Sequence, residues 1–102
     1  MLLNSNLESK SNAVKLAAFA NLGQITFNDD LDNYKVVFLV TLFGNFVLNT
    51  SCQFPKSGLT KNWLCTFNDG TVRNVQLFNI TSKTAEVDKF NNVTAGYVFG
   101  IK

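Results

Sequence analysis

Tyr34-Lys35-Val36-Val37-Phe38-Leu39-Val40-Thr41-Leu42-Phe43 is the stretch that decides the fold class. Three Val, two Leu, two Phe and a Thr fill eight of its ten positions. β-branched and aromatic side chains fit a pleated surface better than a helix, where they lose χ1 freedom against the preceding turn. Alternation puts Val36, Phe38, Val40 and Leu42 on one face and Val37, Leu39 and Phe43 on the other. Both faces are apolar. One can fill a core, and the other then has to be covered by something else.

Working outward, Gly44-Asn45 is a turn signal. After it, Phe46, Leu48, Thr50, Cys52 and Phe54 share one face, and Val47, Asn49, Ser51 and Gln53 share a wetter one. Pro55-Lys56-Ser57-Gly58 reads as a loop, and Trp63, Cys65 and Phe67 fall on a common face of the strand that follows. Asn68-Asp69-Gly70-Thr71 predicts a hairpin with a two-residue Asp-Gly turn, pairing Phe67 with Val72 and Thr66 with Arg73. Strands are expected over 71–80, 84–90 and 93–101, separated by Thr81-Ser82-Lys83 and Asn91-Asn92, with a short one at 24–28. Six or seven strands at intervals of roughly 8 to 12 residues predict an all-β, small antiparallel β-sandwich or barrel-like domain over 24–102.

Residues 1–23 read differently. Ser9 or Ser11 can cap a helix over Asn12 to Asn21 that Gly23 would end. Val14, Ala17 and Ala18, or Leu16, Phe19 and Ala20, supply an apolar stripe at helical spacing. Two to three turns of helix need something to pack on, so 1–23 is expected to be a short helical oligomerisation segment.

A chain of 102 residues fits one domain. It is 46% hydrophobic and only 16% charged, with ten Phe and fourteen Asn, which excludes a disordered region. No His is present, so neither a His-based catalytic triad nor a Cys/His zinc site can form. The nine basic residues are scattered singly, a single Arg73 among them, and the net charge is +2. That pattern points away from nucleic acid. Asp29, Asp30 and Asp32 lack the Gly and Glu offsets of a calcium loop and read as a solvated turn. Cys52 and Cys65 match no redox or zinc spacing. They can face each other across a hairpin about Gly58-Leu59, but two free thiols in core positions are favoured.

The N-terminus lacks the basic flank and apolar stretch of a secretion signal, and the apolar runs Leu16–Ala20 and Val36–Val40 are too short to span a bilayer. A chain made in the cytoplasm, without membrane insertion, is expected. The sequons at Asn49, Asn79 and Asn92 carry no weight without a secretion route. Among the seven carboxylates, Glu86 and Asp88 share a strand face beside Lys89 and read as a solvated edge rather than a glycosidase pair. The six glycines are isolated, so no phosphate-cradling loop exists. The expectation is a non-catalytic chain with no cofactor or metal.

What remains is binding. Trp63, Tyr34 and Tyr97 are amphipathic aromatics of the kind that hold sugars or protein partners when exposed. Trp63, Lys56, Ser57, Lys61 and Tyr97 are the candidate surface-binding residues, although Trp63 shares a face with Cys65 and Phe67 and so leans towards the core. The loops 55–60 and 81–83 are the best surface segments. Val37, Leu39, Phe43, Leu16 and Phe19 are the candidate subunit-interface residues.

The two-faced strand Tyr34-Lys35-Val36-Val37-Phe38-Leu39-Val40 and the terminal Gly96-Tyr97-Val98-Phe99-Gly100-Ile101-Lys102 give the chain a pattern that resembles the C-terminal head domains of bacteriophage tail fibres and other receptor-binding tail proteins. The resemblance spans most of 24–102. It implies a homotrimer on a three-fold axis, located in the virion tail, that recognises a glycan or protein of the host surface. No coiled-coil or collagen-like stem lies within the sequence, and no motif marks a receptor site. An architectural baseplate or capsid-decoration subunit without receptor contact is the alternative.

Overall fold

The structure is a computed structural model that describes residues 13–53 and 62–102. It is all-β. Eight strands run in chain order: β1 (Ala13–Phe19), β2 (Gly23–Thr26), β3 (Val36–Phe43), β4 (Phe46–Gln53), β5 (Asn62–Asn68), β6 (Val72–Phe78), β7 (Thr84–Asn91) and β8 (Ala95–Ile101). They form two antiparallel four-stranded sheets. Sheet A has the order β1-β8-β3-β4 and sheet B the order β2-β7-β6-β5. The first two strands thus lie beside the last two, one pair in each sheet, and the chain ends lock the sandwich shut.

The core lies between the sheets. Sheet A contributes Leu16, Ala17, Phe19, Val37, Leu39 and Val98, and sheet B contributes Trp63, Cys65, Val75, Leu77, Ala85 and Val87. Phe27, Leu31 and Tyr34 close one side of it. Alternation along each strand accounts for this, one residue in two facing inward. Two glycines make room on β8. A Cβ at Gly96 would strike the Phe19 ring, and one at Gly100 would lie 2.6 Å from the Tyr34 ring and 2.9 Å from Leu16.

The segment read as a helix over 12–21 is strand β1, paired with β8 from Ala13↔Ile101 to Phe19↔Gly96. The cause is a bulge. Lys15 pairs with Phe99 and Ala17 with Val98, leaving Leu16 as an extra residue. That insertion turns Ala13, Leu16, Ala17 and Phe19 into the buried set, a spacing that imitates one face of a helix. Residues 13–23 therefore belong to the sandwich rather than to a separate helical segment, while residues 1–12 lie outside the described residues.

Two other expectations are corrected. The β5–β6 hairpin pairs Asn68 with Val72 and Phe67 with Arg73, so its loop is Asp69-Gly70-Thr71 rather than a two-residue turn. Gly70 takes φ +98°, and its N–H donates to Asn68 Oδ1 at 3.0 Å. The expected register would have turned Asn74 and Gln76 inward, whereas the observed one buries Val75 and Leu77. In β4, Leu48 is unpaired between Asn49↔Thr41 and Val47↔Leu42. This bulge breaks the expected face of Phe46, Leu48, Thr50, Cys52 and Phe54. The supposed wet residues Asn49 and Ser51 turn towards β5, where Asn49 Nδ2 donates to Thr66 O at 2.6 Å and Trp63 Nε1 donates to Ser51 Oγ at 3.1 Å. β4 and β5 are thus not a hairpin but opposite edges of the two sheets, joined by side chains. Cys52 and Cys65 are both free, Cys65 buried and Cys52 exposed.

The acidic run does form a turn. Asp30 caps the single 3-10 turn Leu31–Asn33 by accepting from Asp32 N at 2.9 Å. Asp29 accepts from Tyr34 Oη at 2.9 Å, Asn33 Nδ2 at 3.0 Å and Asp30 N at 2.8 Å. Tyr34 and the other bonds hold the Asp29 carboxyl below its usual range, while burial and the Asp29 contact push the Tyr34 phenol up to about 12.

Candidate functional interface

The two outer faces of the sandwich differ in chemistry. The outer face of sheet B carries Gln24, Thr26, Asn62, Thr66, Asn74, Gln76, Glu86 and Lys89, with Leu64, Val72 and Phe78 as its exposed apolar members. Most of its residues are polar.

The outer face of sheet A is apolar almost throughout. Phe38, Val40 and Leu42 of β3 stand beside Tyr97, Phe99 and Ile101 of β8. Ala13 and Lys15 of β1, and Val47, Thr50 and Cys52 of β4, complete it. Ala13, Val40, Leu42 and Phe99 form a second buried cluster, separate from the main core and walled by Phe38, Tyr97 and Ile101. Tyr97 and Phe99 meet edge to face with centroids 5.9 Å apart. Lys15 is the one charged side chain among the described strand residues of this face, and its ammonium lies 5.7 Å from the Tyr97 ring centroid. Ala13, Phe38, Val40, Val47, Thr50, Phe99 and Ile101 line an open groove of about 270 Å³. Such a volume is near the lower end of the range for small-molecule sites, and its walls carry no ionisable group.

The groove runs towards one end of the sandwich, where three turns are tied together. Gly44 N donates to Thr94 Oγ1 at 2.8 Å, and Thr94 N donates to Leu42 O at 2.8 Å. Asn92 Nδ2 donates to Val72 O at 2.9 Å. Arg73 bonds Asp69 at 3.1 Å, donates to Asn92 O at 2.7 Å and lies over the Phe43 ring at 4.3 Å. Burial would raise the Asp69 carboxyl, but Arg73 and the Thr71 N–H outweigh it and hold the group low. From this fixed base Phe43, Phe46, Val47 and Val72 project, Phe46 being 73% exposed.

The residues expected to bind fall in several places. Trp63 is fully buried in the main core with its indole N–H satisfied by Ser51, so it is not a surface-binding residue. Tyr97 is half-buried on the apolar face. Lys56, Ser57 and Lys61, with most of the loop 55–60, lie outside the described residues. Of the expected interface set, Val37, Leu39, Leu16 and Phe19 are buried between the sheets and cannot meet another subunit. Phe43 alone is exposed, at the turn. Both faces of β3 are apolar as read, but the one turned away from sheet B belongs to Phe38, Val40 and Leu42, of which Val40 and Leu42 are themselves buried. The signal lay in β8, whose Gly96, Val98 and Gly100 must face inward to admit Phe19 and Tyr34, leaving Tyr97, Phe99 and Ile101 outside.

Glu86 and Asp88 are exposed, and Asp88 is the unpaired residue of a bulge between Val87↔Leu77 and Lys89↔Gln76. Asn79 Nδ2 donates to Glu86 at 3.3 Å. Among the described residues, no three His, Cys, Asp or Glu side chains converge to hold a metal ion. Burial pushes the Cys65 thiol up, partly offset by the neighbouring Thr41 hydroxyl. Compared with known proteins, the chain matches no family model, no curated protein and no solved structure.

Proposed function

We propose that this chain is a non-catalytic structural and attachment module that works as a homotrimer, of the kind that forms the heads of bacteriophage tail fibres, carried in the virion tail and directed at a glycan or protein of the host surface. The observation that supports assembly is the apolar outer side of sheet A, where half-buried Phe38, Tyr97 and Ile101 wall the buried Ala13, Val40, Leu42 and Phe99, with Lys15 of edge strand β1 as the charged neighbour. The half-buried rings are stabilised by further cover, which copies of a sandwich packed about an axis supply. The tail-fibre assignment rests on the resemblance of the two-faced strand and the closing strand.

The alternative, an architectural subunit without receptor contact, is favoured by the turns. Those among the described residues are short and closed by their own hydrogen bonds, as at Asp69–Thr71 and Thr81–Thr84. Light scattering of the full chain is expected to give three times the 11.3 kDa chain mass. A soluble monomer would sink the proposal. A glycan array or whole-cell adsorption assay with the trimer then separates the two roles, binding being expected for the attachment module and none for the architectural subunit.

A further inference from the structure

We propose that Asp69-Gly70 is a latent site of spontaneous backbone rearrangement to isoaspartate, and that Arg73 holds it closed. The inference does not depend on whether copies of the chain assemble. In an Asp-Gly pair the glycine nitrogen can attack the aspartate Cγ, because the glycine has no Cβ to hinder the approach. The N–Cγ bond forms, the carboxyl oxygen leaves as water and the amide proton passes to solvent, giving a cyclic imide. Water then reopens the ring. Addition at Cγ restores aspartate, whereas addition at the Asp69 backbone carbonyl routes the main chain through the side chain. One water leaves and one returns, so no cofactor or oxidant is required.

Asp69-Gly70 is the only Asp-Gly pair in the sequence, and no Asn-Gly pair occurs. Nothing shields it sterically. A Cβ at Gly70 would meet nothing within 4 Å, and the Asp69 side chain is 41% exposed. The protection lies in hydrogen bonds. Gly70 N donates to Asn68 Oδ1 at 3.0 Å, which engages the attacking nitrogen with a different side chain. Arg73 Nε donates to both Asp69 carboxylate oxygens, at 3.1 and 3.3 Å, and Thr71 N donates to Oδ1 at 3.4 Å. A carboxylate gripped by a cation stays ionised, and the ionised form lacks a good leaving group. Arg73 is itself anchored elsewhere. Its Nη1 donates to Asn92 O at 2.7 Å, and its guanidinium lies over the Phe43 ring at 4.3 Å. The blocking group is thus held by the turns after β3 and β7 rather than by the loop it protects. Rearrangement would add one main-chain carbon to the Asp69–Thr71 loop and move the carboxylate off Arg73. That would loosen the end from which Phe43, Phe46 and Val72 project.

The test follows isoaspartate at position 69 in the full chain by peptide mapping, with a protease that cleaves before aspartate but not before isoaspartate. Native wild type, held at neutral pH, is expected to convert at least about tenfold more slowly than the same chain unfolded in urea. Arg73→Gln, with its fold checked by far-UV circular dichroism, is expected to convert at least about fivefold faster than native wild type. Arg73→Lys is the second variant, because it keeps the charge and loses the planar contacts to Asp69, Asn92 and Phe43. It is expected to fall between wild type and Arg73→Gln, and it carries the test if Arg73→Gln does not fold. Native wild type converting as fast as the unfolded chain overturns the inference. So does a folded variant of either kind that converts as slowly as native wild type.

Discussion

Trp63→Ala is expected to destabilise the protein by about 3–5 kcal/mol, the range for emptying a fully buried aromatic site. Trp63 is the largest fully buried side chain of the described residues and sits where both sheets meet. Its loss removes more than volume. The Trp63 Nε1–Ser51 Oγ bond at 3.1 Å is a side-chain tie between β4 and β5, as is the bond from Asn49 to Thr66. With it gone, the edges of the two sheets are held less firmly, and the Ser51 hydroxyl loses its donor. Chemical denaturation, or a thermal shift of about 4–8 °C for each kcal/mol in a domain of this size, measures the effect. Trp63→Phe should recover most of the packing but not the bond. A Trp63→Ala loss below about 1 kcal/mol would mean that the sheets do not pack around this ring.

Gly100→Ala is expected to cost about 1–3 kcal/mol, the usual range for overpacking a tight core. The new Cβ would lie 2.6 Å from Tyr34 Cδ1, 2.7 Å from its Cγ and 2.9 Å from Leu16 Cδ1. The Tyr34 ring cannot swing aside freely, because its hydroxyl donates to Asp29 at 2.9 Å and Lys102 lies over its face at 5.6 Å. Pairing Gly100→Ala with Tyr34→Ala should cost less than the sum of the two single changes, since the second vacates the space the first needs. Additive losses in the double-mutant cycle would rule out the clash as the cause.

The same glycines show how far the sequence could be read. Alternation from Val36 to Phe43, turn residues at regular intervals and the excess of Phe are enough for an all-β sandwich, because burying one residue in two is a local rule. Bulges defeat that rule. Leu16, Leu48 and Asp88 are each an extra residue in one strand, and each shifts the alternation by one position. At Leu16 the shift imitates a helix. At Leu48 it turns Asn49 and Ser51 from solvent towards β5, and at Asp88 it places the exposed Asp88 and Lys89 side by side in the chain. Nothing within a single strand marks these positions, since the pairing partner sets them.

The interface was half legible. That β3 needs cover on two sides follows from its composition, but which side meets the second sheet is a tertiary matter, decided by the rings of Phe19 and Tyr34 entering beside Gly96 and Gly100. Assigning the free side to Val37 and Leu39 reverses it. Phe46 falls at the start of a strand beside a turn, paired with Phe43, and alternation alone does not mark it as exposed.

The central claim is that copies of the chain meet through the outer face of sheet A. Light scattering of Ile101→Glu beside Leu64→Glu tests it most directly, because Ile101 walls the apolar cluster on sheet A while Leu64 is a 50% exposed apolar residue on the outer face of sheet B. A carboxylate placed in a dry seam has no partner there and costs several kcal/mol, whereas on a wet face it costs little. The account predicts a monomer of 11.3 kDa for Ile101→Glu and an unchanged trimer for Leu64→Glu. Trimers from both, or dissociation by Leu64→Glu alone, would contradict it.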